Sequence, residues 1–259
     1  MPALILMYHD LAVDVTKVTP GHRPYVLEPS TFLLQMQAVA AQNLPALCVT
    51  QWCTSPGPSR AILLTFDDGH VSNHDVALPI LVERQLTATF FIVAGRIATG
   101  ETMNWRQIRA LQAAGMEIGS HTFTHRPPST LDDDALRYEL LESRRILEDG
   151  LGAPVTAISS PTGFFNPRMR SIAREVGYSA LCCGQVGLAA DHADPWSLRR
   201  IAVKRGMGMK QFNDLVRLDP SAIRRLRVRQ VIRDLARKSV GLNVYLGMRR
   251  MLMRGGRHA

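Results

Sequence analysis

Short, almost entirely apolar runs alternate with longer segments of helical spacing along most of this chain of 259 residues. Runs of this kind are typical of strands buried on both faces, and the segments between them are long enough to form crossover helices. The predicted strands are residues 3–8, 61–66, 88–93, 116–120, 155–160, 178–183 and 198–203. Strands joined by helices pair in parallel. About seven of them favour an α/β fold built as a (β/α) barrel, complete or distorted, over an open sheet.

Helices are predicted where apolar residues recur at helical spacing, over residues 30–44, 73–85, 104–115, 131–150 and 167–177. Asn104 and Gly115 are expected to be the N-cap and C-cap of the third of these helices. Thr130 is expected to cap the fourth. Pro79 is expected either to kink the second helix or to lie near its start.

Two adjacent carboxylates, Asp67 and Asp68, directly follow the predicted strand 61–66. Like charges at the end of a buried strand repel each other and resist burial, so something must compensate them. A solvated turn would do so, and so would a bound cation.

A second polar cluster follows the fourth predicted strand, where three residues separate His121 from His125. The preceding strand and the following Arg-Pro-Pro favour a loop, and Thr122 stands where a zincin motif requires Glu. Two histidines and one carboxylate make a divalent-metal site with one position open for water. Sites in such barrels lie at the carboxyl ends of the strands, so we expect the histidines to lie near Asp67 and Asp68. One carboxylate would be a ligand, and the other would be free to act as general base.

The stretch TFDDG, followed downstream by HTFTH, resembles the first two motifs of the polysaccharide deacetylase family, the group with the nodulation-type deacetylase homology domain (carbohydrate esterase family 4). Stretches such as VALPILVERQLTATFFIV and GMEIGSHTFTH also resemble the family's framework, so the resemblance covers roughly residues 1–205. It implies that Asp67 is the catalytic base and that Asp68, His121 and His125 bind one divalent metal ion, usually zinc.

The third motif departs from the family pattern, because this chain has SSPTG there. Ser159 stands where an Arg is common, and Thr162 stands where an aromatic residue is common. The backbone N–H of Thr162 can still serve as oxyanion donor, since that role does not depend on the side chain. Arg200, at another predicted strand end, is a candidate substitute for the missing Arg, although a surface or ion-pair role is the alternative.

The general acid is the second departure, because the family's C-terminal Leu-x-His motif is absent. The chain begins with MPALILMYHD, which is similar to the Tyr-His starts of poly-N-acetylglucosamine deacetylases, whose motif order is permuted. This resemblance implies that His9 is the acid. The alternative is a histidine that only forms hydrogen bonds at the barrel mouth.

Basic residues are concentrated near the C-terminus, where residues 199–259 hold 17 of the 31 Lys and Arg residues but only 3 of the 22 Asp and Glu residues. We therefore predict a barrel domain over residues 1–210 and a basic amphipathic helical tail over residues 211–259. Within the tail, apolar residues are expected near one helical face, namely Ile223, Leu226, Val231, Leu235 and Val240. Three alternatives stay open: a helix packed on the barrel, a helix on an anionic membrane surface, and a nucleic-acid binder. No recognised motif or aromatic interleaving supports the third.

The compartment is inferred from features that the sequence lacks. The N-terminus has no basic region followed by a cleavage site, which predicts no secretory signal. No apolar run reaches about 18 residues, so no transmembrane helix is expected. The four cysteines show no CxxC spacing and are expected to be reduced. We therefore expect a cytoplasmic protein that lies peripherally on the inner membrane face.

Together these features predict a metal-dependent deacetylase that hydrolyses the N-acetyl amide of an amino sugar in a glycan or a lipid-linked glycan intermediate. One alternative is a deformylase of an amino sugar on a polyprenyl phosphate, or another hydrolase of non-peptide C–N bonds. The alternative of another class is a catalytically inactive family member that binds glycan.

Overall fold

The computed structural model describes residues 3–54, 60–163, 166–189 and 194–240. The strands are β1 (Ala3–Tyr8), β2 (Asp10–Leu11), β3 (Val26–Leu27), β4 (Ala61–Phe66), β5 (Ala88–Ile92), β6 (Glu117–Ser120), β7 (Ala157–Ser159), β8 (Ala180–Cys183), β9 (Leu198–Arg199) and β10 (Ile201–Ala202). The helices are α1 (Pro29–Ala40), α2 (Val49–Thr54), α3 (Leu78–Glu83), α4 (Trp105–Ala113), α5 (Asp133–Leu151), α6 (Pro167–Glu175), α7 (Met209–Val216) and α8 (Pro220–Val240).

The main sheet is parallel throughout and has the strand order β10-β1-β4-β5-β6-β7-β8-β9. Its two edges belong to one stretch of chain, because only Arg200 separates β9 from β10. Through β9 this stretch pairs with β8, and through β10 it pairs with β1, so the sheet nearly closes on itself. The predicted distorted (β/α) barrel is confirmed, and the predicted last strand, 198–203, is interrupted at Arg200.

Strand periodicity explains why polar groups meet at one end of the barrel. Successive side chains of a strand point to opposite faces, so every second residue enters the interior. The lower interior is apolar and small, and its strand residues are Ala3, Ile5, Ala61, Leu63, Phe91, Ala157, Ala180, Cys182 and Leu198. The same alternation, continued to the carboxyl ends of the strands, reaches His9, Asp67, His121, Ser159 and Arg200. These residues form the barrel mouth.

The opposite end of the barrel is closed by α2, which the sequence did not predict. The N–H of Val49 donates to the hydroxyl of Thr89, and this hydroxyl donates to the Glu117 carboxylate at 2.6 Å. The N–H of Thr50 also donates to Glu117 at 3.3 Å. We call this network the barrel base, because it lies at the amino ends of the strands.

Two helix caps were predicted correctly or nearly so. Asn104 is the N-cap of α4, and it forms a reciprocal capping box with Gln107. The helix ends at Ala113 with Ala114 as its C-cap, so Gly115, with φ +81°, lies one residue beyond its predicted place. Pro79 is the second residue of α3, which directly continues the π-helical turn Asn73–Ala77, so the proline lies inside a longer helical segment whose regular hydrogen bonding is altered just before it.

The predicted cap at Thr130 is wrong. Thr130 ends the 3-10 turn Pro128–Thr130, and its hydroxyl donates to the carbonyl of Pro127. Asp132 caps α5 instead, because its carboxylate accepts from the N–H of Ala135 at 2.8 Å. Asp is as good an N-cap as Thr or better, so the nearer residue takes the role.

The predicted single apolar face of the tail is also wrong. Ile223 is 9% exposed and packs with Leu226 against the core, whereas Val231 is 51% and Leu235 is 58% exposed. A helix turns by about 100° per residue, so the five-residue step from Leu226 to Val231 moves the side chain about 140° around the axis. The helix thus has two apolar faces, one packed and one exposed. The side chain of Val240 lies outside the described part of the chain.

The predicted domain boundary at residue 210 falls within α7. This helix buries Phe212, Leu215 and Val216 in the main core and packs against α1. The separation of residues 211–259 from the barrel stays a prediction. Within the described ranges, no helix is both long enough and apolar enough to cross a membrane.

Candidate active site

A sharp turn after β4 sends the two adjacent carboxylates in different directions. Asp68 and Gly69 both have left-handed backbones, with φ of +72° and +70°. Asp tolerates this conformation better than most residues, and Gly adopts it freely. A Cβ at Gly69 would also lie 3.2 Å from Cδ1 of Ile92. The turn lets Asp67 reach Arg200 while Asp68 faces the histidines.

The histidines follow β6 on a loop, as expected, and a buried carboxylate holds that loop. Glu139 of α5 accepts from the N–H groups of Phe123 and Thr124, at 3.0 and 2.7 Å, and from the Thr124 hydroxyl. The sequence reasoning missed Glu139, although an acidic residue among the buried positions of an amphipathic helix is a recognisable signal. His125 itself has a left-handed backbone, with φ +65°.

Asp68, His121 and His125 bring three ligand atoms within 4.8 Å of one another. The Nε2 atoms of His121 and His125 lie 3.5 and 3.3 Å from Oδ1 of Asp68. The other ring nitrogen of His121, Nδ1, lies 2.9 Å from the carbonyl of Ser159, and an Nδ1–H donated there leaves Nε2 free to bind a metal. Oδ1 of Asp68 is buried without a hydrogen-bond partner among the described residues. These atoms therefore fit a divalent cation.

The protonation of His125 suits a ligand. Burial, and after it the charge of His121, lowers the pKa of His125 to about 4 against the opposing charge of Asp68. The imidazole is therefore neutral at pH 7, which is the form that binds a metal.

Asp67 is held by Arg200, whose side chain is fully buried. Its two terminal nitrogens donate to the two carboxylate oxygens of Asp67 at 2.8 Å each, and one of them also donates to the Ser159 hydroxyl at 2.7 Å. Burial is the largest single influence and would raise the pKa of Asp67, but the charges of Arg200 and His121 and the hydrogen bonds from Arg200 together outweigh it and hold that pKa well below its usual range. Arg200 therefore contacts both Asp67 and Ser159, the residue at the position where an Arg is common in the family.

His9 lies at the carboxyl end of β1 and is fixed through its backbone. The side chain of Asn73 donates to the carbonyl of His9 at 2.7 Å, and the ring of Tyr25 lies 4.8 Å from the imidazole. Burial lowers the pKa of His9, against the opposing charges of Asp67 and Asp68. Its buried Nδ1 has no hydrogen-bond partner among the residues that the structure describes.

Thr162 lies in the 3-10 turn Pro161–Gly163 that follows β7. Its backbone is left-handed, with φ +63° and ψ −2°. The turn continues the strand whose Ser159 contacts both His121 and Arg200, so it begins within one residue of the buried cluster. Left-handed non-glycine residues also occur at ordinary turns of this chain, such as Asn43 and Gln85, so the role of Thr162 as oxyanion donor stays a prediction.

The family model described as polysaccharide deacetylase matches residues 54–181. These residues belong to the polysaccharide deacetylase family. The matched range contains Asp67, Asp68, His121 and His125, whereas His9 and Arg200 lie outside it.

A curated relative is the peptidoglycan-N-acetylglucosamine deacetylase of Bacillus cereus, which is 28% identical over 141 residues. The alignment covers 54% of this chain and 61% of the relative, so the chain spans only part of that protein. The chitin deacetylase 1 of Cryptococcus neoformans is 27% identical over 114 residues, which is 44% of this chain and 23% of the relative.

Among solved structures, the deacetylase PplD of Streptococcus pyogenes superposes with a TM-score of 0.72. The superposition covers 81% of this chain and 96% of PplD at 23% sequence identity. At this identity the likeness shows a shared fold and no more. The likeness of Tyr8-His9 to the Tyr-His starts of poly-N-acetylglucosamine deacetylases stays a prediction.

Proposed function

We propose that this polysaccharide deacetylase family member hydrolyses the N-acetyl amide of an amino sugar in a glycan or a lipid-linked glycan intermediate. The observation that carries the proposal is one cluster: three metal-binding side chains, Asp68, His121 and His125, beside the buried, ionised Asp67. The two curated relatives named above are deacetylases of N-acetylated glycans. The substrate and activity are carried over to this chain as part of the proposal.

One divalent ion, zinc by the two-nitrogen, one-oxygen ligand set, would be held by Asp68, His121 and His125. The family is metal-dependent in general. When bound, the ion supplies Lewis-acid polarisation of the acyl carbonyl and of the attacking water.

Asp67 is the proposed general base. Its low pKa keeps it ionised, so it can accept the proton that water loses as its oxygen bonds to the acyl carbon. The same low pKa makes it a weak base. The bidentate contact with Arg200 therefore contributes a fixed orientation of the carboxylate rather than a high proton affinity.

His9 and Thr162 are assigned to the second half of the reaction. Burial lowers the pKa of His9 and favours its neutral form, so His9 would have to take up a proton during the reaction before it could pass that proton to the sugar nitrogen as the C–N bond breaks. The N–H of Thr162 is the proposed donor to the negative oxygen of the tetrahedral intermediate. The products are acetate and the free amino sugar.

The alternatives differ in acyl group or in activity. Removal of a formyl group from an amino sugar on a polyprenyl phosphate, or hydrolysis of another non-peptide C–N bond, would use the same residues. A catalytically inactive glycan-binding member is disfavoured by the Asp67–Arg200 pair, because a binding protein needs no oriented carboxylate beside a metal site.

The membrane part of the proposal concerns the exposed apolar face of α8. Val228, Val231 and Ile232 are exposed at spacings of three and four residues. Arginines flank this stripe on both sides, with Arg227 on one side and Arg225 and Arg229 on the other, and Arg224 lies one turn before Val228 on the stripe itself. An apolar stripe between basic residues fits a cytoplasmic, peripheral position on an anionic inner membrane face, where a lipid-linked glycan would be presented.

A release assay for acetate and formate, run over free and lipid-linked N-acylated amino sugars, tests the reaction. We expect acetate release that depends on added zinc or another divalent ion. Formate release alone would favour the deformylase, and glycan binding without any release would favour the inactive member.

Co-sedimentation with vesicles containing anionic phosphatidylglycerol tests the membrane partner. We expect binding that weakens with salt and falls at least tenfold in Val231→Asp, with Val82→Asp, a valine of α3 that is equally exposed at 51%, as the matched control. Equal sedimentation of both variants would argue against this surface.

A further inference from the structure

Residues 183–186, which are the last residue of β8 and the first three of the loop after it, contact two parts of the candidate active site. The carbonyl of Cys183 accepts from Nε of Arg200 at 3.3 Å, and the carbonyl of Gln185 accepts from the backbone N–H of Arg200 at 3.1 Å. The N–H of Gly184 donates to the carbonyl of Gly163 at 2.6 Å. The loop therefore supports both the partner of the base and the turn that holds the candidate oxyanion donor.

One side chain of α8 forms hydrogen bonds with the same loop from outside the barrel. Oε1 of Gln230 accepts from the N–H of Val186 at 2.7 Å, and its Nε2 donates to the carbonyl of Gly184 at 3.0 Å. Gln230 lies on the packed face of the helix, because Ile223 and Leu226 precede it by seven and four residues. One amide thus fixes two backbone groups of the loop.

The loop and the turn touch each other without an intervening side chain. A Cβ built on Gly184 would lie 2.9 Å from Cα of Gly163, and one built on Gly163 would lie 3.0 Å from Cα of Gly184. Because the two backbones are in direct contact, a displacement of Gly184 passes directly to Gly163. Thr162, with its left-handed backbone, is the next residue.

We propose that Gln230 is a positioning residue: it holds residues 183–186 against the turn Pro161–Gly163 and so sets the place of the Thr162 N–H. The basic helix α8 would then be part of the active-site architecture as well as a membrane attachment. The catalytic part of this proposal rests on the proposed function, whereas the mechanical coupling does not.

Gln230→Leu removes both hydrogen bonds at nearly constant size, and Gln230→Glu keeps the acceptor for Val186 but loses the donor to Gly184. We expect Gln230→Leu to lower kcat for a soluble substrate about tenfold, with KM within twofold and the metal retained, because a small misplacement of a donor acts on the transition state. Gln230→Glu should fall between Gln230→Leu and wild type. Gln37→Leu, at an exposed glutamine of α1, is the matched control and should match wild type.

Amide hydrogen exchange supplies a readout that needs no activity. We expect faster exchange at Gly163 and Gly184 in Gln230→Leu, and unchanged exchange in β6. If wild type releases no acyl group, the proposed function fails, and the exchange data still decide the coupling. Unchanged exchange and unchanged kcat would overturn the proposal. A uniform rise in exchange through the barrel strands would assign Gln230 a general structural role and overturn it as well.

Discussion

The two ends of the barrel each place a carboxylate in a hydrogen-bonding network, but they satisfy it by different means. At the barrel base, Glu117 accepts from the Thr89 hydroxyl and the Thr50 N–H, which are neutral donors. At the barrel mouth, Asp67 is held by the buried charge of Arg200. The polar groups of the barrel base thus pair with neutral partners, whereas the barrel mouth contains a buried pair of charged side chains.

The orphaned atoms show the same difference. Oδ1 of Asp68 and Nδ1 of His9 are buried at the mouth without a hydrogen-bond partner among the described residues. Buried polar atoms in native proteins are nearly always paired, and unpaired atoms also occur elsewhere in the described residues, such as the side-chain amide of Gln35 on α1. The atoms at the mouth differ in that Oδ1 of Asp68 lies beside two imidazole nitrogens, an arrangement that fits a bound cation. The described polar groups of the barrel base satisfy one another, whereas the barrel mouth holds a buried ion pair and unpaired ligand atoms.

The largest effect is expected from the three proposed metal ligands, Asp68, His121 and His125. Asp68→Ala and His121→Ala should each lose the bound ion and with it all measurable acyl release, because each removes one of three ligands. Elemental analysis of the purified variants measures this. Thr89→Val at the base is the control and should keep about one ion per chain. Full metal content in both mouth variants would contradict the ligand assignment.

Asp67→Asn should keep the ion but lower kcat by about 10² to 10⁴, the usual contribution of a general base. Assays of acyl release by metal-loaded protein measure this kcat. Because an amide is close in size to a carboxylate, the substitution should leave the packing unchanged. A variant with wild-type kcat would show that another group accepts the proton.

The next largest effect is a difference in stability between a substitution at the barrel mouth and one at the barrel base. Arg200→Met leaves Asp67 buried and unpaired, which costs about 3 to 5 kcal/mol of the free energy of unfolding. Thr89→Val removes one neutral hydroxyl from the base and should cost about 1 to 3 kcal/mol. Denaturant unfolding of both proteins checks the order. A larger loss in Thr89→Val would reverse the comparison.

The pH dependence of stability is the smallest expected effect. Because the folded pKa of Asp67 lies below its usual value, its contribution is present above the unfolded pKa of about 3.9 and is lost as pH falls further. In Arg200→Met the burial of Asp67 favours its neutral form, so protonation at low pH removes the cost of the unpaired buried charge and reduces the destabilisation of the variant. The stability gap between wild type and Arg200→Met should therefore narrow from pH 7 to pH 3. A constant gap would show that Asp67 and Arg200 are not coupled.

The barrel was predictable because the pattern of each strand can be read from its own residues. The convergence at the barrel mouth was predictable because the carboxyl ends of all parallel strands meet at one end of the barrel. Metal-site candidates such as His121 stood out for the same reason. Contacts made only by tertiary packing were not predictable: Glu139 reaches the histidine loop from α5, and Gln230 reaches Gly184 from α8. The short helix α2 was missed because few turns give little periodicity, and α7 was predicted only as part of the helical tail, without its own bounds.

The most direct test measures metal content and acetate release on the same samples of wild type and Asp67→Asn, with an N-acetylated amino-sugar oligomer as substrate. We expect about one divalent ion per chain in both proteins and a kcat for acetate release that is about 10² to 10⁴ times lower in Asp67→Asn than in wild type. Equal release by both proteins at full metal content would contradict this expectation.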